Sequence, residues 1–185
     1  MYTQRPHDFE SADTVNRVVA LLVRFPELHS VRSNPADATL TLSFAVRASL
    51  DRVKTRALGD RVGEHVRAFL DLRGEALEKI AVTCDRDVQL SFVHVTRDAE
   101  SFAREELELL VALFDREFGE RLVRDAAGPA QVDDDPAARD ELVEVALDVL
   151  RDPAQRRRLV GFREEQRVLV YFVHARKRVK ARARS

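Results

Sequence analysis

The sequence has no tryptophan, one methionine, two tyrosines and a single cysteine, Cys84, in 185 residues. One cysteine excludes an intrachain disulfide framework and a zinc site built from cysteines, and it fits a reducing compartment. Lysine is also scarce, being confined to Lys54, Lys79, Lys177 and Lys180. Beside abundant arginine, alanine and valine, that scarcity reads as the composition of a GC-rich coding sequence, which discounts part of the arginine excess. No apolar run approaches the roughly 18 residues that a membrane-spanning helix needs. The start, MYTQRPHDFE, has neither a basic lead nor an apolar signal core. The sequence therefore predicts a cytoplasmic chain with no membrane partner. A phosphate loop is missing too, because the close glycines Gly59 and Gly63 fall inside a helical stripe and lack the Gly-Lys-Ser/Thr ending.

Apolar residues make up 45% of the chain, enough for a proper core. The net charge of −1 hides an asymmetry: residues 151–185 carry +9 and the rest −10. Such polarity favours association with a polyanion, an acidic surface or another copy of the chain.

Three stretches alternate in the period of a strand: ATLTLSFAV at 38–46, VQLSFVHV at 88–95 and VLVYFVH at 168–174. Each follows a shorter apolar run and a turn, so hairpins are predicted with first strands at 27–32, 79–84 and 159–163. Helical stripes precede them. Val15, Val18, Val19, Leu22 and Val23 predict a helix that starts after Ser11 or Asp13 and stops before Pro26. A second helix runs from Ser49 to Gly74, carrying Val53, Leu58, Val62, Val66 and Leu70. A third begins at 98–101 with Phe102, Leu107, Leu110, Phe114 and Phe118. The fourth has Asp135 and Pro136 at its start and Ala138, Leu142, Val145, Ala146, Val149 and Leu150 inward. Leu122 and Val123 add one short strand or turn.

The predicted fold is α+β, an antiparallel sheet of about six strands built from three helix-plus-hairpin units, with the helices mainly on one face. Residues 11–125 form an α+β core with two helix-hairpin units and a third helix, and 126–135 an acidic linker. Residues 136–175 supply a helix plus the third hairpin that completes the core, and 176–185 a basic disordered tail. The shared Leu-Ser-Phe of Leu42-Ser43-Phe44 and Leu90-Ser91-Phe92 predicts that Phe44 and Phe92 take equivalent inward positions. In the last strand both faces are apolar, so Leu169, Tyr171 and Val173 need a cover.

No catalytic residue and no cofactor is predicted. His94 and His174 stand at matching ends of repeated strands and would share a metal if those strands were neighbours, against the ordinary reading of two structural histidines. Cys84 beside Asp85 is a small core residue rather than a nucleophile, since an adjacent carboxylate raises a thiol pKa. The Asp133-Asp134-Asp135 run is a solvated linker that ends in a helix cap. Arg156, Arg157, Arg158, Arg176, Lys177, Arg178, Lys180, Arg182 and Arg184 form a nucleic-acid-binding candidate suited to phosphates, with a solubilising tail as the ordinary alternative.

The sequence thus reads as a non-catalytic binding or assembly module of unknown ligand. The alternative is an RNA-associated protein that contacts phosphates through the basic C-terminal arm. The partners implied are a second copy or another protein, or RNA.

Overall fold

The computed structural model of the chain describes residues 7–124, 136–165 and 167–174. In chain order the elements are α1 (His7–Arg24), β1 (Leu28–Asn34), β2 (Thr39–Val46), α2 (Arg52–Arg73), β3 (Ile80–Arg86), β4 (Ser91–Asp98), α3 (Arg104–Phe118), α4 (Pro136–Arg151), β5 (Arg157–Glu164) and β6 (Arg167–His174). The fold is α+β, and its six strands form one antiparallel sheet in the order β3-β4-β2-β1-β5-β6. No helix among the described residues is long and apolar enough to cross a membrane.

Local chemistry sets the boundaries. α1 ends ahead of Pro26, which cannot donate the next helical hydrogen bond. A single turn of 3-10 helix, Pro35–Asp37, joins β1 to β2 and closes on Ala38 in the left-handed region at φ 49°. α2 is capped by Asp51 rather than Ser49, its carboxylate accepting from the Lys54 amide at 2.8 Å. It stops at Gly74, whose φ of 70° favours glycine. The turn between β3 and β4 spans Asp87 to Leu90, so of the Asp85-Arg86-Asp87 motif only Asp87 belongs to it. It closes from the Asp87 amide to the Leu90 carbonyl at 2.8 Å.

Alternation divides the sheet into two faces, called here the Phe44 face and the Ser43 face. On the first, Leu42 lies between Val31 and Val95, and Phe44 beside Val93. All five are fully buried or within 1% of it. Phe44 stacks on Phe114 of α3 with ring centroids 3.8 Å apart. A Cβ added at Gly59 of α2 would lie 3.4 Å from Val82 of β3, so this glycine serves close packing. At Gly161 of β5 the approach is tighter, since a Cβ would come within 2.7 Å of Val18 and 3.1 Å of Leu22, both on α1.

Several expectations are corrected. Phe92 is not the counterpart of Phe44: it pairs with Ala45, only partly buried, and its ring lies 4.9 Å from that of His29 on the Ser43 face. The Leu-Ser-Phe motif misleads because Leu90 belongs to the turn, and Val93 takes the inward place opposite Phe44. α1 begins at His7, ahead of both proposed caps. α3 begins at Arg104, since Asp98 and Ser101 are engaged with a buried arginine instead. α4 is rotated from its expected stripe, with Val143 and Leu147 buried and Leu142 53% exposed, while Val53 of α2 is 78% exposed. Leu122 does add a bridge to Val46, and the Val123 amide donates to the Ala45 carbonyl. The expected linker 126–135 and tail 176–185 lie outside the described residues. The third hairpin joins the same sheet as the first two, through β5 beside β1.

Candidate functional site

The Ser43 face is where small polar side chains, histidine and aromatics meet. Register places Thr83, His94, Ser43, Ser30, Phe162 and Leu169 in one row across the six strands. The next row runs through Ala81, Thr96, Thr41, Arg32, Val160 and Tyr171. At the β3–β4 end the contacts are polar. Thr41 and Thr96 share a hydroxyl hydrogen bond of 2.9 Å. His94 Nδ1 lies 2.7 Å from the Ser43 hydroxyl and its Nε2 3.1 Å from an Asp85 carboxylate oxygen.

That serine, histidine and aspartate are linked in the order of a hydrolytic triad, but their exposure is reversed. A nucleophilic serine must face substrate while its aspartate is buried. Ser43 has no accessible surface, and the Asp85 side chain is 84% exposed. The chain of bonds orients an imidazole between a buried hydroxyl and a solvated carboxylate. It offers no attacking group to a substrate.

At the β5–β6 end the face becomes apolar. Phe162 lies 5.8 Å, centroid to centroid, from Tyr171, and Tyr171 and Val173 are 51% and 45% exposed. Arg32 and Arg158 are exposed on the same face, Arg158 donating to the Asn34 side chain at 3.1 Å.

The expected site residues are distributed as follows. Arg156, Arg157 and Arg158 are exposed at the entry to β5. Arg176, Lys177, Arg178, Lys180, Arg182 and Arg184 lie outside the described residues. His94 is on β4 and His174 on β6, and three strands lie between. Four strand spacings come to about 19 Å, so the sheet does not bring the two together. Among the described residues no group of His, Cys, Asp and Glu is arranged to hold a metal ion. Cys84 is half-buried, its sulfur 3.7 Å from the Asp85 carbonyl oxygen.

Sequence reasoning passed over two buried arginines. Arg97 of β4, 1% exposed, forms a forked ion pair with the fully buried Glu106 of α3 at 2.5 and 3.0 Å. It also donates to the Lys79 carbonyl at 3.0 Å, to Ser101 at 3.0 Å and to Asp98. Burial pushes the Glu106 carboxyl above its usual range even with Arg97 beside it. Burial works in the same direction on Asp98, but the Ser101 hydroxyl and Arg97 outweigh it and hold that carboxyl low. Burial alone would lower the Arg97 pKa, yet Glu106 and Asp98 raise it, so it stays charged.

The second arginine, Arg163 of β5, is 5% exposed and donates to the carbonyls of Leu22, Phe25 and Leu28, from the last turn of α1 to the start of β1. The signal for both was available: each continues an inward alternation, Val93-Val95-Arg97 and Leu159-Gly161-Arg163, and a charge on an inward position demands partners.

Two shallow clefts lie outside the sheet face. One of about 420 Å³ is lined by Arg73, Glu75, Glu78, Asp98, Ser101 and Arg151, with Phe102 at its wall. Another of about 460 Å³ lies between α2 and β3 around Arg67, Asp71 and Glu78. Both are lined by charged side chains at the rim of the Arg97 cluster or near it. Comparison with protein-family models, with curated proteins and with solved structures found no match for this chain.

Proposed function

We propose that this chain is a non-catalytic binding or assembly module. Three helix-plus-hairpin units, an internal repeat, set their helices against the Phe44 face of the sheet and leave the Ser43 face to a partner, in the cytoplasm. The contacts of α1 with Gly161, α2 with Val82 and α3 with Phe44 support that layering. The observation that carries the function is the exposed apolar end of the Ser43 face, Tyr171 and Val173 beside Phe162. Apolar side chains grouped on a surface mark an interaction site. The buried hydroxyl of Ser43 supports a non-catalytic role.

The test is a pull-down with and without nuclease, using the full chain and a Tyr171→Asp variant. A bound protein, or a second copy, that survives nuclease and is lost with Tyr171→Asp is the expected result. Binding that the substitution leaves unchanged removes this surface from the proposal.

A second reading, an RNA-associated protein, draws on one observation: the exposed Arg32 and Arg158 share a face with Phe162 and Tyr171. Cations beside aromatics suit single-stranded RNA. The basic arm would add phosphate contacts. With the six cations of residues 176–184 engaged, the slope of log affinity against log salt would reach about −4. Truncation after Ala175 would flatten it. A complex dissolved by nuclease favours this reading, and a salt slope unaltered by truncation removes the arm from it.

A further inference from the structure

The binding-module proposal leaves open what binds. Resting on that reading, we propose that the occupant is an extended segment of another protein. It adds to the sheet beside β6 and runs antiparallel to it, with acidic residues leading an apolar, alternating run.

The two edges of the sheet differ in how they meet water. An edge strand exposes unpaired amides and carbonyls, and monomers blunt such edges with charges, proline or bulges. β3 is blunted in this way, with Asp85 and Arg86 within it and only the small side chains of Ala81 and Thr83 beside them on the Ser43 face. On its other face Val82 lies against Gly59 of α2. β6 is not blunted. From Val168 to Val173 it carries neither charge nor proline, and its ladder with β5 runs unbroken through eight residue pairs. Val168, Val170 and Phe172 are only partly buried on the Phe44 face, and Tyr171 and Val173 stand open on the other.

Apolar side chains uncovered on both faces of one edge strand select the kind of occupant. A base stacked on Tyr171 would cover one face and leave the backbone edge bare. An added strand takes up the edge amides and carbonyls, and its alternate side chains cover both faces at once. Every neighbouring pair in this sheet is antiparallel, the slightly stronger arrangement per residue.

Charge then sets the order of residues in the segment. The last residue of β6, His174, pairs with Arg157, and Arg156 precedes it. Both arginines are exposed, and neither meets a carboxylate among the described residues. Arg158 is occupied differently, donating to Asn34 of β1. At the other end of β6, Arg167 pairs with Glu164 and is followed back into the turn by Glu165, so no excess of positive charge gathers there. An antiparallel segment brings its N-terminal end to Arg157, which places its acidic residues ahead of its apolar ones. The added strand lies two strand spacings from β5, about 10 Å. That is close to the screening length at about 0.1 M salt, so the charge preference is strongest at low salt.

The experiment is fluorescence anisotropy of the full chain with a fluorescein-labelled peptide, Glu-Asp-Glu-Val-Thr-Val-Thr-Val, at about 50 mM salt. Saturable binding is expected, lost with Tyr171→Asp. The peptide of reversed order should bind about fivefold more weakly, and Arg156→Glu with Arg157→Glu should weaken the original peptide by about as much. A Lys-Arg-Lys leader should restore affinity for that variant. Two further peptides, N-methylated on the threonines or on the valines, test the backbone ladder. Only one of them should lose binding, because alternate amides face β6. Absence of saturable binding, indifference to both methylations, or indifference to residue order and to the charge reversal overturns the proposal. So does a dimer in sedimentation that excludes the peptide, or single-stranded RNA that displaces it. If no peptide binds but a nuclease-resistant partner is still lost with Tyr171→Asp, only the strand addition fails. If Tyr171→Asp changes no binding, the binding-module reading fails with it.

Discussion

Each end of the sheet is held to its helices by one buried arginine, and the two differ in where the partners come from. At the β3–β4 end, Arg97 is met by carboxylates close in the chain, Asp98 next to it and Glu106 nine residues on. At the β5–β6 end, Arg163 reaches back 135 residues to the Leu28 carbonyl at the start of β1 and 141 to the Leu22 carbonyl in the last turn of α1. The outer surfaces differ in the same sense. The first end presents Thr83, Asp85 and His94, side chains that suit water, and the second presents Phe162, Tyr171 and Val173. The first end is completed by its own neighbourhood. The second end depends on distant chain and, on our proposal, on another molecule.

Breaking the local cluster should have the largest effect. Glu106→Ala leaves the Arg97 guanidinium buried without its forked partner and should cost about 3 to 5 kcal/mol, read as a lower midpoint in urea unfolding. A loss under about 1 kcal/mol would mean that Asp98 and Ser101 suffice. Arg163→Met keeps the volume but removes the donors from the α1 carbonyls, for a cost of about 2 kcal/mol. A loss matching that of Glu106→Ala would erase the distinction between the two anchors.

Gly161→Ala tests how tightly α1 seats on β5. The added methyl meets Val18 at 2.7 Å, and the overpacking should cost about 1 to 2 kcal/mol; an unchanged melting temperature would show that α1 shifts freely.

A smaller effect concerns pH. The Asp98 pKa is lower in the folded chain than in the unfolded one. The stability it contributes is therefore present above the unfolded value and lost as pH falls through the folded one. Glu106 has the opposite sign, its raised pKa costing stability as pH rises past the ordinary value of 4.5. Asp98→Asn should thus flatten the loss of stability below about pH 4, and acid-unfolding curves of equal slope for the two proteins would refute it. Smallest of all should be the effect of Tyr171→Asp on the isolated fold, within about 0.5 kcal/mol, even though it is expected to abolish association. A large destabilisation would place Tyr171 in the core economy of the monomer rather than on a contact surface.

Much of the architecture was legible because it is written in periodicity. TLTLSFAV alternates cleanly and became β2 with Leu40, Leu42, Phe44 and Val46 inward. The stripe of Leu58, Val62, Val66 and Leu70 became the buried face of α2. What periodicity could not give was phase where a motif spans a turn. Leu90-Ser91-Phe92 looks like Leu42-Ser43-Phe44 but sits one position out of step, so Phe92 faces His29. Nor could it give strand order: His94 and His174 share a sequence context, yet the third hairpin docks on β1 and not on β4. The polar row of Ser43 and His94 was invisible because its members come from different hairpins. Arg97 and Glu106 were visible in principle, since each occupies an inward phase, but charge was read as exposure.

The position of β1 has a consequence for how the protein is made. It is a central strand, flanked by β2 within its own hairpin and by β5 from 126 residues later in the chain. While the chain emerges from the ribosome, β1 and the carbonyls ending α1 must wait until β5, 126 residues on from Ser33, has been made before that side closes. Pairings so distant in sequence slow folding, and an uncovered strand is an invitation to misassembly. The nascent chain is thus most vulnerable in that interval, and arrival of the β5–β6 hairpin is the moment at which α1 becomes secure.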